Sequence, residues 1–183
     1  MTRTESTMLA LGTTAPSFNL INVTSGEHFQ LNKLAHTATV ILFICNHCPF
    51  VKHINPELTK LANDYLSKNI QFIAINSNDT EAYPDDSPEN MRLNAIENAY
   101  PFPYLFDETQ AVAKAYHAAC TPDFFVFDKN NQLVYRGQLD DSRPGNNIPV
   151  TGASIRNALD CLIAGKPVAE IQKPSIGCNI KWK

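Results

Sequence analysis

Residues 37–44 (TATVILFI) run apolar and β-branched without a charge. That is the pattern of a strand buried on both faces. Residues 70–77 (IQFIAINS) repeat it. Ahead of the first, residues 18–23 and 27–31 alternate apolar and polar around Ser25 and Gly26, which predicts a hairpin. Later, residues 123–128 and 132–137 flank Lys129-Asn130-Asn131 and predict another. Ile54, Leu58, Leu61 and Leu66 recur at helical spacing and predict a helix over 49–67, with a kink at Pro56. Ser87 followed by Pro88 looks like a cap and a first-turn proline, opening a helix to about Asn98. Residues 103–106 predict a short strand, and 109–117 and 153–164 predict helices. Gly165 and Pro167 stop the last one. Two polar stretches, 80–90 and 140–152, read as loops. The segment after 165 shows no period.

Strands joined by helices come first and an antiparallel pair comes late. The order predicts an α/β fold with a mixed central sheet and flanking helices. In such sheets chemistry gathers beyond the carboxyl ends of strands. A chain of 183 residues suits one domain. The expected division is a flexible N-terminus over 1–11, a domain over 12–165, and a C-terminal tail over 166–183 carrying Cys178.

Composition narrows the function classes. The net charge is -3 and the pI about 5.9, which argues against a general nucleic-acid partner. No apolar run approaches the roughly 18 residues of a membrane span. The first residues, with one positive charge and a short apolar stretch, do not fit a signal peptide. A cytoplasmic location is therefore expected. In a reducing compartment the five cysteines are not a structural disulfide framework.

Chemistry concentrates in the segment ICNHCPFVK, residues 44–52, between a buried strand and a helix start. Cys45 and Cys48 stand in i, i+3 relation with His47 between them. Three chemistries fit: a metal clamp, a redox disulfide, or a single nucleophilic thiolate. A metal site lacks donors, since one C-x-x-C supplies two of the four ligands of a structural zinc. His47, His53 and Cys178 are the available supplements. A helix N-terminus stabilises a thiolate, and protonated His47 adds positive charge. Pro49 suits the first helical position and pushes its predecessor out of the helical region. That makes Cys48 the N-cap.

A buried strand, C-x-x-C, a helix with an internal proline, and much later Cys120-Thr121-Pro122 before a strand resemble the thioredoxin superfamily. GTTAPSFNL (12–20), the inserted segment 89–108, and residues 112–141 resemble its redoxin branch, which groups alkyl-hydroperoxide-reductase-like and thiol-specific-antioxidant-like domains. The resemblance implies a thioredoxin-like fold with an N-terminal hairpin and a redoxin-type insertion. It implies a cis Thr121-Pro122 bond facing the cysteines and shaping a substrate groove. It implies thiol-disulfide oxidoreduction, with protein or small-molecule disulfide and thiol substrates, a dithiol electron donor and no bound cofactor.

Two departures bear on the branch. Ile44 stands where thioredoxins carry a tryptophan, and Thr39 stands near their buried aspartate. The His before the second cysteine is similar to disulfide oxidases and isomerases, in which Cys45 would attack, His47 would stabilise its thiolate and Cys48 would resolve. A peroxiredoxin-like alignment makes Cys48 peroxidatic and fits Cys48-Pro49, but Ile41 and Cys45 occupy the positions of its proline and hydroxyl residue. The histidine pattern points to Cys45 as attacker and the cap to Cys48.

Cys120, two residues before Pro122, is either a further redox partner or packing under the site. Cys178 is either a resolving or modifiable thiol or a surface residue. Cys161 reads as core. Asp140, Asp141 and Arg143 read as a solvated turn with a local ion pair, or as a substrate contact. No sequence partner is assignable to His28, His36, His53 or His117.

Overall fold

The structure is a computed structural model that describes residues 3–31 and 36–183. Its strands are β1 (Arg3–Glu5), β2 (Asn19–Asn22), β3 (His28–Gln30), β4 (Ala38–Phe43), β5 (Ile70–Asn76), β6 (Tyr104–Phe106), β7 (Cys120–Thr121), β8 (Asp123–Asp128), β9 (Leu133–Gly137) and β10 (Ile176–Asn179). Its helices are α1 (Pro49–Leu66), α2 (Pro88–Glu97), α3 (Ala111–Ala115) and α4 (Ala153–Ile163). Among the described residues, the central sheet has seven strands in the order β3-β2-β6-β5-β4-β8-β9. β5 pairs in parallel with β4 and β6, and the other pairings are antiparallel. This is the mixed sheet that the element order predicts.

β4 is buried at every residue because both faces are covered. Val40 and Leu42 face the cluster built with α1, α2 and α4, through residues such as Leu58, Leu61, Met91 and Leu159. Ile41 and Phe43 face the opposite cluster, with Ile73, Tyr116, Phe125 and Ile180. Alternation along one strand thus feeds two cores. α1 presents Val51, Ile54, Asn55, Leu58, Leu61, Ala62 and Tyr65 inward, the spacing of one helical face. It runs unbroken through Pro56. The inserted segment supplies α2 and β6, with the Ser87 hydroxyl accepting from the Asn90 N–H as an N-cap.

The two chain ends differ from expectation. Residues 3–5, expected to be flexible, form β1, and the tail, without period in sequence, contains β10. These join β7 in a second sheet of order β1-β10-β7. Strands this short carry too few residues for a period-2 signal, so pairing alone defines them. Gly177 permits the closeness: a Cβ there would lie 2.0 Å from the Thr121 carbonyl oxygen. Among the described residues, no helix is long and apolar enough to cross a membrane.

The loop after β9 also departs from a solvated turn. Asp140 is buried and accepts from the N–H groups of Ser142, Thr151 and Gly152, pinning the loop to the start of α4. Arg143 donates to the carbonyls of Asp140 and Ser142 and to Gln138. The exposed ion pair joins Asp141 to Lys173 instead.

Candidate active site

The C-x-x-C segment leaves the end of β4 and enters α1. Cys48 is the N-cap of α1 with extended backbone (φ -69°, ψ 123°), and Pro49 takes the first helical position. Facing it, the Thr121-Pro122 peptide is cis. Cys45 Sγ lies 3.3 Å from Thr121 Oγ1, and Cys48 Sγ lies 3.2 Å from the Thr121 carbonyl oxygen. Cys178 Sγ, on β10, lies 2.8 Å from Cys48 Sγ. All three of these cysteines are buried.

The thiols are electrostatically unequal. Cys48 is brought down to about 5, first by a hydrogen bond from the Cys45 thiol, then by one from Cys178 and by the N–H groups of Val51 and Cys178, against the opposing cost of burial. Of these donors the Val51 N–H belongs to the start of α1, where sulfur anions are favoured, and the others come from Cys45 and from Cys178 on β10. As a thiol Cys48 donates to the Thr121 carbonyl, and on ionising it exchanges that acceptor for donors. Cys45 is pushed well up, because it donates to Cys48, is buried and lies near the Asp86 carboxylate. Burial and the neighbouring Cys48 raise Cys178 to about 12.

The hydrogen bond of His47 goes to Asp86 rather than to Cys45. Its Nδ1 lies 2.7 Å from an oxygen of buried Asp86, and its ring stacks on Tyr83 at 5.4 Å. The hydrogen bond to Asp86 raises the His47 pKa. Asp86 also accepts from the Asn46 N–H and from Asn78 Nδ2, which, after burial is overcome, hold its pKa low. The donor atoms of Cys45, His47 and Asp86 lie within 4.8 Å of one another, with the carboxylate taking three hydrogen bonds, from the Asn46 N–H, Asn78 and His47. His47 Nε2 is buried without a partner. His53 turns away to Ser142, 2.8 Å from its Nε2. His28 and His36 pair with Asn19 and Asn69.

Cys120 is buried beneath the cis peptide, with Sγ 3.6 Å from the Pro122 carbonyl, and burial raises its pKa strongly. Cys161 is half-buried on α4, apart from the site. Thr39 is fully buried and its hydroxyl has no partner. The carboxylate beside the cysteines comes from Asp86 instead. Asp86, Tyr83 and Asn78 escape sequence reading. Asp85-Asp86 before a Ser-Pro helix start looks like any solvated acidic loop, and only the fold turns Asp86 inward.

Behind the cis peptide, Asp123 and Arg136 form a fully buried ion pair. Asp123 also accepts from Ser6 Oγ and the Ala119 N–H. Arg136 donates to the Thr7 carbonyl, and its guanidinium lies 3.8 Å over the Phe125 ring. This network ties β8 and β9 to the segment that follows β1 and to the residue before β7.

Residues 11–136 match the model of the AhpC/TSA family, and the chain belongs to that family. Its fold is thioredoxin-like. A crystal structure of a protein from Geobacillus kaustophilus, described as an uncharacterized conserved protein, is 64% identical with a TM-score of 0.98, covering 100% of this chain and 97% of that one. The thiol-disulfide oxidoreductase ResA of Geobacillus kaustophilus (strain HTA426) is 25% identical over 71% of this chain and 70% of its own length. The thioredoxin domain of a thiol-disulfide oxidoreductase from Bacteroides vulgatus, 18% identical, covers 81% of this chain and 97% of that one with a TM-score of 0.63 and shares the fold.

Proposed function

We propose that the protein is a thiol-disulfide oxidoreductase in which Cys48 is the attacking thiolate and Cys45 a thiol able to close the ring. The observation that carries this reading is the position of Cys48 Sγ at the start of α1, with its pKa near 5, opposite cis-Pro122. The thiolate attacks one sulfur of a disulfide, forming a mixed disulfide and releasing the other half as a thiolate. A second thiol of the site, which in the C-x-x-C route is Cys45, then attacks the Cys48 sulfur, its proton passing to the departing thiolate. A separate dithiol re-reduces the pair. Substrates are protein or small-molecule disulfides in a reducing, cytoplasmic setting. Thr121 holds Cys45 in place, and the His47–Asp86 pair sets the charge beside the cysteines.

Two shallow depressions flank the segment. One is lined by Asn46, His47, Lys52 and Asp85, the other by Phe50, His53, Pro122, Arg143 and Ile176.

Insulin-disulfide reduction or refolding of a scrambled protein tests the reading. Cys48→Ser is expected to abolish turnover, and Cys45→Ser to change the disulfide that accumulates. Full activity in Cys48→Ser refutes it. A peroxidase reading is favoured by the same cap position of Cys48 before Pro49. It predicts peroxide consumption lost in Cys48→Ser and kept in Cys45→Ser.

A further inference from the structure

We propose that Cys178 is the resolving thiol for Cys48, delivered by a strand of the chain's own C-terminal segment. The proposal rests on Cys48 as nucleophile. β10 lies antiparallel to β7, with Cys178 opposite Thr121 and Asn179 opposite Cys120. On its other edge it pairs with β1, Cys178 opposite Arg3. The backbone edge expected to receive an extended substrate beside the cis peptide is therefore filled by the chain itself.

This pairing presents one side chain to the site with chemistry to offer. Cys178 Sγ is already 2.8 Å from Cys48 Sγ, so a bond of about 2.05 Å needs a closure of about 0.8 Å. Gly177 lets β10 pack against the Thr121 carbonyl and so sets this depth. Cys45, the rival, also touches Cys48 and has a second contact with the Thr121 hydroxyl at 3.3 Å.

The step balances. Cys48–S⁻ and R–S–S–R′ give Cys48–S–S–R and R′–S⁻. Cys178 then attacks the Cys48 sulfur, forming Cys48–S–S–Cys178. R–S⁻ leaves and takes the Cys178 proton. Two protein thiols are oxidised, one substrate disulfide is reduced, and an external dithiol restores both thiols. The Cys178 thiol is hard to ionise while it faces a Cys48 thiolate. Burial is the larger cause and stays, but once Cys48 is in a mixed disulfide its charge no longer opposes ionisation of Cys178.

The test uses the reduced full chain and one equivalent of glutathione disulfide, with acid quench, digestion and mass analysis without reduction. A Cys48–Cys178 linked peptide is expected in Cys45→Ser and at the earliest times in the wild type. In Cys178→Ser the glutathione adduct on Cys48 should persist at least ten-fold longer. If the wild type gives Cys45–Cys48 alone, Cys45→Ser stops at the adduct, and Cys178→Ser resolves at the wild-type rate, the proposal is overturned and the dithiol reading stands. If no wild-type cysteine reacts, both fall.

Discussion

Cys48 and Cys178 stand 130 positions apart in the chain, yet their sulfurs lie 2.8 Å apart at the start of α1. The two thiols are in contact but ionise at opposite ends of the scale. Cys48 is lowered to about 5, first by the Cys45 thiol, and Cys178 is raised to about 12 by burial.

Thiolate absorbance near 240 nm should therefore rise through a step centred near pH 5. Cys48→Ser should remove that step, while Cys161→Ser, away from the site, should leave it. A first thiol step only above pH 8 would contradict the assignment of the low-pKa thiol.

Stabilising a thiolate stabilises the reduced form and makes a disulfide more oxidising. The reduction potential of the site should thus be more positive than the about -270 mV of thioredoxin. Titration against glutathione buffers, read by mass after alkylation, measures it. A value below thioredoxin's would mean that oxidation is favoured by something other than thiol ionisation.

The His47–Asp86 pair supplies a pH-dependent test. Asp86 raises the His47 pKa above 6.5. A raised histidine contributes stability that is full below pH 6.5 and is lost as pH rises through the folded value. Asp86→Asn should lower the midpoint of the His47 ring signals in an NMR titration. Its stability deficit should be larger at pH 5.5 than at pH 9. An unchanged midpoint would show that the imidazole does not sense the carboxylate.

Removing one partner of a fully buried ion pair leaves the other charge stranded, at a cost of about 3–5 kcal/mol. Arg136→Leu and Asp123→Leu should each destabilise on that scale, measured by urea unfolding. The double variant should be less destabilised than the two losses added. Strict additivity would mean that the pair is not coupled. Because Asp123 follows Pro122, the single variants should also slow thiol chemistry.

Much of the fold is legible in the chain because its signals are local. β4 and β5 announce themselves as uncharged β-branched runs, the hairpins by their turns, and α2 by Ser87-Pro88. The cap role of Cys48 is legible too, since Pro49 restricts the backbone on both its sides. Asp86 was not, because an acidic loop residue reads the same whether it faces water or a histidine. β1 and β10 were not, because strands of three and four residues exist only through their partners.

The sequence by itself determined the thioredoxin-like frame, the C-x-x-C at the end of a buried strand and the Thr121-Pro122 that faces it. The place of the C-x-x-C follows from periodicity and chain order, while the frame and the facing Thr121-Pro122 follow from the resemblance of these motifs to the thioredoxin superfamily. The tertiary structure decided the relative acidity of the thiols. Their ionisation depends on which donors and carboxylates arrive from elsewhere: Cys178 on β10, Asp86 before α2, Thr121 on β7. Coulomb and hydrogen-bond energies depend on distance in space, so the relative acidity of the thiols rests on residues far along the chain.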